Sequence, residues 1–268
     1  HMRKFLTLFV ISLSISDGAF GQKGVSFEKN EGHLPGDVLY KSAVAPGLLA
    51  FFEINKITYL NYDLVDLEKI HEDAHHSELY DTRMNGVVDM HAFTVEFVNS
   101  NKNVRVSAKN PLVTYSNYFI GQDSRRWATN VRSYESITYG NVYSGVDFDF
   151  FSSDGQFKYD VVIAVGVDPS IVQMKYDGVD HISLVNDMLM IELSNGTLWE
   201  QKPSTYQLVD GIRTEVYCRY VLDNLSGTIS FEFPNGYDTT AELIIDPVLV
   251  AATYSGSPQM TVTYGHCA

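Results

Sequence analysis

The chain has few cysteines, little basic charge and no long apolar run beyond its N-terminal residues. Cys218 and Cys267 are the two cysteines among 268 residues, which is too few for a disulfide-stapled scaffold. Acidic side chains outnumber basic ones by 33 to 19, and the formal net charge of −14 gives a surface that repels nucleic-acid phosphates and anionic lipid headgroups. We therefore expect no nucleic-acid partner and no membrane insertion of the mature protein.

The sequence also lacks the patterns of several enzyme classes. It contains no G-x-S-x-G nucleophile elbow, no phosphate-binding loop and no dinucleotide fingerprint, and no spacing of its serines and histidines indicates a catalytic triad. No repeat with a period of about 20 to 50 residues occurs, so the pattern is not that of a propeller or solenoid. We therefore predict no catalytic residues and no obligatory cofactor.

The N-terminal 21 residues have the zones of a secretory signal peptide. Arg3 and Lys4 form a basic start, Phe5 to Ile15 an apolar run, and Ala19-Phe-Gly21 a small-residue cleavage site. The apolar run is too short to cross a bilayer. We expect cleavage near Gln22 and a secreted or cell-surface protein; the alternative is an apolar strand that stays in the fold.

The C-terminal half alternates apolar and polar residues between turn dipeptides. Asp154-Gly155 is a sequence signal for a hairpin turn. In the strand that would follow it, one face would carry the apolar residues Phe157, Tyr159, Val161 and Ile163. Further turn dipeptides are Asp177-Gly178, Asn186-Asp187, Asn195-Gly196, Asp210-Gly211, Ser226-Gly227 and Asn235-Gly236. This pattern predicts an all-β fold, an antiparallel β-sandwich or open-barrel meander, with residues 147–250 almost entirely in strands.

The N-terminal third is less regular but also indicates strands. Leu48 to Phe52, Ile57 to Asn61 and Phe93 to Val98 fit strand patterns, whereas Leu64 to Tyr80 is charged and rich in histidine, as in a helix or an unstructured loop. Lys109-Asn-Pro111 is the best internal boundary, because proline cannot donate to a central ladder. We therefore predict two β-rich lobes, at 22–110 and 111–250, and a short C-terminal segment at 251–268.

Several fragments follow the order of one recognisable module. They are Asn117-Tyr-Phe-Ile-Gly-Gln-Asp, Trp127-Ala-Thr-Asn-Val, Val142-Tyr-Ser-Gly-Val-Asp147, Tyr159-Asp160-Val-Val, Pro203-Ser-Thr-Tyr-Gln207, Ile245-Asp-Pro-Val-Leu249 and Ala252-Thr-Tyr-Ser-Gly256. The series resembles the N-terminal domain that precedes beta-propeller (SBBP-type) repeats in secreted and gliding-motility-associated bacterial proteins, and Phe27-Glu-Lys-Asn-Glu-Gly32 extends it.

The resemblance implies a setting but no reaction. It implies export, as by type IX secretion, and a non-enzymatic head module of a repeat-bearing protein, with the first repeat beginning within 251–268. A role in adhesion or assembly follows from that setting, with a surface glycan or a protein as the partner. It identifies no ligand.

A rival interpretation is a zinc-dependent hydrolase. His71-Glu72-Asp73-Ala74-His75 matches H-E-x-x-H, in which two imidazoles on one helix face bind zinc and the glutamate polarises the metal-bound water. The flanks are polar, including Glu68, Lys69 and His76, whereas a zinc-protease helix is normally apolar around the motif. We predict that the match is fortuitous; adventitious metal binding by His71, His75 and His76 is the intermediate alternative.

A calcium site is a second metal hypothesis. Asp147 and Asp149 would lie on one strand face, with Asp154 in the adjoining turn, so that three carboxylates could converge on Ca²⁺. Asp-Gly at a hairpin is also explained by backbone geometry alone. The alternative for Asp147 is a buried carboxylate that accepts backbone hydrogen bonds.

Aromatic residues crowd one segment and raise a third hypothesis, a carbohydrate-binding module. The residues are Tyr115, Tyr118, Phe119, Trp127, Tyr134, Tyr139 and Tyr143. Exposed rings stack on sugars or extended peptides, but most aromatic residues of β-rich segments pack in the core. Trp127, beside Arg125, is the best exposed candidate, and Tyr118 and Tyr134 are weaker ligand-binding candidates.

The alternation around Cys218 makes a simpler prediction. Val216, Cys218, Tyr220 and Leu222 share one register, which predicts a buried thiol. Export would permit a disulfide to Cys267, although the spacing does not establish one.

Overall fold

A computed structural model describes residues 25–66, 88–119 and 123–252 of the chain. The strands in these ranges are β1 (Phe27–Lys29), β2 (Tyr40–Ala45), β3 (Leu48–Phe52), β4 (Lys56–Tyr62), β5 (Met90–Phe97), β6 (Arg105–Tyr118), β7 (Ala128–Tyr143), β8 (Val146–Ser153), β9 (Gln156–Ile163), β10 (Met174–Asp177), β11 (His181–Val185), β12 (Met188–Leu193), β13 (Gly196–Glu200), β14 (Ser204–Val209), β15 (Ile212–Glu215), β16 (Arg219–Asp223), β17 (Thr228–Glu232), β18 (Leu243–Asp246) and β19 (Leu249–Ala252). Short 3-10 helices occupy Ser124–Arg126 and Pro169–Ile171. The predicted signal peptide lies outside these ranges.

The strands form one large sheet and one small one. The large sheet has 15 strands in the order β15-β14-β18-β9-β8-β7-β1-β2-β3-β4-β5-β10-β17-β16, with β6 paired to β7 beside this path. The small sheet has the order β11-β12-β13-β19. All the strand pairings among the described residues are antiparallel. The predicted all-β class is confirmed, as a sandwich-like arrangement that does not close into a barrel.

The predicted hairpin between β8 and β9 is confirmed. Asp154 and Gly155 have φ values of 52° and 75°, the left-handed geometry that a two-residue type I′ turn requires at both positions. Gln156 pairs with Ser153 directly across this turn. Residues 147–250 contain strands, turns and one short 3-10 helix, as the alternating pattern predicts.

The N-terminal strands also match their predicted positions. β3 and β4 cover the first two segments that the sequence assigns to strands, and β5 covers the third except for Val98, which lies in the following turn. A helical turn occupies residues 64–66, and the rest of the polar segment up to Tyr80 lies outside the described residues.

The segments before and after residue 110 share the large sheet. Strands β1 to β5 lie between β7 and β10 in the strand order, and β6 runs continuously through Lys109-Asn-Pro111. Pro111 is compatible with a strand here because β6 pairs, within the described residues, with β7 alone and its register shifts between Pro111 and Tyr115.

The large sheet curls over an aromatic core. The ring of Phe52 on β3 lies 5.1 Å from Phe150 on β8, and Phe97 on β5 lies 4.8 Å from Phe148, although these strands are far apart in the sheet order. The small sheet contributes three fully buried residues to the same core: Leu189, Ile191 and Leu198. The core therefore lies inside the curl and is covered at one side by the small sheet.

Cys218 is buried, as its register predicts, and has no disulfide partner among the described residues. Cys267 lies outside the described residues, so the disulfide between the two stays a prediction. No helix in the described part of the chain is long and apolar enough to cross a membrane.

Candidate functional site

Four side chains form a polar cluster at the N-terminal end of the sheet, which we call the N-terminal clasp: Glu28, His33, Lys41 and Tyr118. The Glu28 carboxylate accepts hydrogen bonds from Tyr118 Oη at 2.7 Å and His33 Nε2 at 3.2 Å. Lys41 Nζ lies 2.9 Å from the same carboxylate. The His33 ring stacks on the Tyr118 ring with centroids 4.2 Å apart. The clasp therefore ties the end of β6 to β1 and β2.

The loop that carries His33 is shaped by Asn30. Its side-chain oxygen accepts hydrogen bonds from the backbone N–H groups of Gly32 and Leu34, and its amide donates to the carbonyl of Val38 at 2.8 Å. These bonds satisfy backbone groups that a loop would otherwise leave to solvent. The fragment Phe27 to Gly32 is thus a structural unit that positions His33 over the sheet.

The clasp lowers the pKa of the Glu28 carboxylate. Burial would raise the pKa of Glu28, but the hydrogen bond from His33, the charge of Lys41 and the hydrogen bond from Tyr118 outweigh it and lower the pKa to about 2. Glu28 is therefore ionised at neutral pH, with a donor at each oxygen. The opposite ring nitrogen of His33, Nδ1, is buried without a hydrogen-bond partner among the described residues.

A second buried carboxylate lies in the core. Glu200, at the end of β13, is 3% exposed and accepts hydrogen bonds from three tyrosine hydroxyls. Tyr159 and Tyr220 each donate to Oε1 at 2.7 Å, and Tyr176 donates to Oε2 at 3.2 Å. The three tyrosines come from β9, β16 and β10 of the large sheet. Glu200 therefore links the small sheet to three separate strands of the large one.

The surroundings of Glu200 disfavour its charged form. Burial raises the pKa of Glu200, and the hydrogen bonds from the tyrosines offset part of that rise. The carboxyl lines a cavity of about 20 Å³ together with Tyr59, Tyr159 and Tyr176. A cavity of this size holds about one water molecule, and polar walls suit one. This arrangement can hold a proton or a water inside the core.

A row of carboxylates crosses the outer face of three adjacent strands. Asp149 pairs with Asp160 across β8 and β9, and Asp246 follows on β18. Burial and the negative charges of Asp246 and Asp149 raise the pKa of Asp160 to about 7. Lys158 Nζ lies 3.8 Å from Asp246 and partly balances this charge.

The residues of the calcium hypothesis have separate roles. Asp147 is half-buried and accepts a hydrogen bond from the backbone N–H of Asn141 at 2.7 Å. Asp149 accepts a hydrogen bond from Thr138, and Asp154 occupies the hairpin tip. Within the described ranges no group of three His, Cys, Asp or Glu side chains could hold a metal ion. His71, His75 and His76 lie outside those ranges.

The aromatic segment divides between core and surface. Tyr139 and Tyr143 are buried, and Tyr134 packs against Tyr40 with ring centroids 6.2 Å apart. Tyr118 belongs to the clasp. Three residues remain exposed around the connection between β6 and β7, and we call them the aromatic end: Tyr115, Phe119 and Trp127.

The comparison with known proteins shows the family of the chain. A profile described as Domain of unknown function (DUF7948) matches residues 27–248. The chain belongs to this family. The DUF7948 match begins at the first residue of β1 and includes the clasp, Glu200 and the aromatic end. No curated protein and no solved structure matches the chain.

The roles of Glu28 and Glu200 in this DUF7948 domain were not predicted from the sequence. Glu200 lies on the same buried side of β13 as Leu198. A glutamate at a position where alternation predicts a core residue is unusual, and this was the sequence signal that could have identified it. Glu28 follows the buried Phe27 on β1 and had no comparable signal. Its partners Lys41 and Tyr118 are far away in sequence and meet it only in the folded sheet.

Proposed function

We propose that this chain is a non-enzymatic binding module, the head of an exported, repeat-bearing surface or secreted protein that acts in adhesion or assembly. The observation that carries the proposal is the aromatic end. Tyr115, Phe119 and Trp127 are 58%, 62% and 45% exposed. Burying one large apolar side chain contributes about 1.5 to 3 kcal/mol, so covering three would be strongly favourable. Tyrosine and tryptophan are also enriched among residues that dominate binding interfaces.

The aromatic end rests on a rigid support. β6 and β7 are 14 and 16 residues long and pair with each other. The clasp fixes Tyr118 immediately before Phe119, and the Phe119 ring meets Trp127 edge to face at 5.6 Å. A surface that is ordered before binding loses less conformational entropy when its partner arrives.

The geometry favours a protein partner over a glycan. The rings of Phe119 and Trp127 stand at 88° to each other and so do not form one flat platform. Val113, also on β6, is 93% exposed and adds apolar surface. Glu28 and Glu200 are each engaged by three neighbouring side chains, which fits a role for both in holding the fold that carries the aromatic end.

Retention of the labelled protein on intact cells of the producing bacterium tests the proposal. The double variant Phe119→Ala, Trp127→Ala should reduce retention at least about tenfold while unfolding at the wild-type temperature. Leu225→Ala is the matched control, because Leu225 is 100% exposed on a distant turn. Unchanged retention of the double variant would refute the proposal. Loss of retention in free sugar would instead support the carbohydrate-binding alternative at Trp127, Tyr118 and Tyr134.

A further inference from the structure

The charge of one segment is opposite in sign to that of the whole chain. We call this segment, which comprises β6, β7 and their connection at residues 105–143, the ribbon. Five of the chain's 19 basic residues lie in the ribbon but only two of its 33 acidic ones. The basic residues are Arg105, Lys109, Arg125, Arg126 and Arg132, and the acidic ones are Asp123 and Glu135. The ribbon is therefore a basic segment of an acidic protein.

The two acidic residues of the ribbon have partners within it. Asp123 Oδ2 lies 2.9 Å from Arg125 Nη2, so the charges of this pair cancel. Glu135 accepts a hydrogen bond from the neutral Asn110 amide at 3.0 Å and keeps its charge. The excess positive charge of the ribbon therefore lies on its other basic side chains.

Three of these basic side chains form no ion pair with a described residue: Arg105, Lys109 and Arg132. Every residue of β6 is exposed or half-buried, and Arg105 and Lys109 are among the exposed ones. Arg132, on β7, is half-buried. Accessible cations on an acidic protein attract an anionic partner to the place where they lie.

Arg132 brings this positive charge to the aromatic end. Its guanidinium carbon lies 5.9 Å from the centroid of the Tyr115 ring, and the two residues pair directly across β6 and β7. A guanidinium over a ring keeps the N–H groups of its edge available for a carboxylate. Lys109 lies about 20 Å from Tyr115 along β6, at about 3.3 Å per residue. An interface of about 800 Å² per partner is roughly 30 Å across and so reaches both.

The open edge of β6 is poorly suited to the addition of a partner strand. Within the described residues β6 pairs with β7 alone, so its other edge is open. Asn110 has a φ of 54°, Pro111 has no N–H group, and the register with β7 shifts after Pro111. Proline and irregular backbone block pairing at a sheet edge. Recognition by the ribbon therefore depends on its side chains.

We propose that the aromatic end and the basic side chains of the ribbon together bind the acidic surface of a protein. This inference rests on the proposed binding function and specifies its partner. Arginine and lysine pair with carboxylates. The perpendicular rings of Phe119 and Trp127 need apolar side chains, which a protein surface offers and a polyanionic glycan lacks. The rest of the chain is acidic and repels such a partner, so the charge pattern directs its approach to the ribbon.

The dependence of binding on salt tests the role of charge. Retention of the labelled protein on intact cells of the producing bacterium would be measured at about 0.1 M and about 1 M NaCl, where the Debye length is about 10 Å and about 3 Å. Retention should fall about fivefold at the higher salt concentration. Poly-L-glutamate, the soluble probe for an acidic polypeptide, should displace the protein at the lower concentration, and uncharged dextran should not. Digestion of the cells with a protease before the assay should abolish retention.

Charge-neutralising variants locate the contact. The double variant Arg105→Gln, Lys109→Gln should lower retention about fivefold at about 0.1 M NaCl, weaken its salt dependence and unfold at the wild-type temperature. Lys175→Gln is the matched control, because Lys175 is an exposed lysine on β10 that forms no ion pair with a described residue. Its retention should equal that of the wild type.

The outcomes separate this inference from the function on which it rests. The inference is overturned if retention is equal at both salt concentrations, if poly-L-glutamate displaces nothing, or if the double charge variant is retained as the wild type is. Retention that survives protease and is lost in polygalacturonate would identify an anionic glycan instead and would also overturn it. In each of these cases, loss of retention by Phe119→Ala, Trp127→Ala leaves the binding function of the aromatic end standing. Unchanged retention of that variant refutes both.

Discussion

Replacing Glu200 by alanine should destabilise the protein severely. Three tyrosine hydroxyls donate to this carboxylate in the core. Alanine would remove the acceptor of Tyr159 and Tyr176, whereas Tyr220 also donates to the Gln201 carbonyl at 3.0 Å and keeps that bond. An orphaned buried hydroxyl costs about 1 kcal/mol or more, and the added cavity contributes about 1 kcal/mol. The expected loss is therefore about 3 kcal/mol of unfolding free energy, a large part of the total for a domain.

The matched variant Glu200→Gln separates hydrogen bonding from charge. The glutamine oxygen can accept from Tyr159 and Tyr220, which share one carboxylate oxygen, and the amide N–H₂ can donate to the Tyr176 oxygen. We expect a loss below about 1.5 kcal/mol. Urea denaturation at neutral pH, followed by far-ultraviolet circular dichroism, measures both variants.

The change of protein stability with pH gives an independent check of the role of Glu200. Because burial raises the pKa of Glu200 above 4.5, the folded protein holds the proton more tightly than the unfolded chain does. The stability of the wild type should therefore fall, relative to Glu200→Gln, as pH rises from about 4.5 toward the raised pKa. The reasoning is refuted if Glu200→Ala costs less than about 1 kcal/mol, or if glutamine is as damaging as alanine.

Four further predictions concern other parts of the chain. Glu28→Gln should cost about 2 kcal/mol at pH 7 in urea denaturation, and the wild-type advantage should vanish as pH falls from 4.5 to about 2, the lowered pKa. Asp160→Asn should raise the unfolding free energy by about 1 kcal/mol at pH 8 after allowance for solvent screening, because the pKa of Asp160 is raised to about 7. An unchanged unfolding free energy at pH 8 would contradict the repulsion of Asp160 by Asp149 and Asp246. Intact-mass measurement of exported protein should show an N-terminus near Gln22, and retention of residues 2–21 would be evidence against a signal peptide. Glu72→Gln should leave stability and any activity unchanged and the dialysed protein low in zinc; stoichiometric zinc with proteolysis lost in this variant would support the hydrolase.

The fold class could be predicted because its determinants are local. The alternation of apolar residues through β9 identifies its buried face, which carries Phe157, Tyr159, Val161 and Ile163. The two-residue hairpin turn needs residues that adopt positive φ angles, as Asp154 and Gly155 do. The buried thiol of Cys218 follows from the same alternation.

The order of strands in the sheet could not be predicted in this way. Alternation shows which face of a strand is buried, but it does not identify the neighbouring strand. The pairing of β1 with β7 joins Phe27 to Tyr134, more than a hundred residues away in sequence. Likewise, the exposure of Phe119 and burial of Tyr139 depend on which strands cover each ring.

The sequence by itself determined the all-β class, the hairpin turns and the inward register of individual strands, because these depend on backbone preference and on side-chain period over a few residues. Only the tertiary structure decided that Tyr159, Tyr176 and Tyr220 meet at Glu200 and that Tyr118 closes over Glu28. Such sites arise when a curled sheet brings distant strands together, and no local pattern encodes that closure.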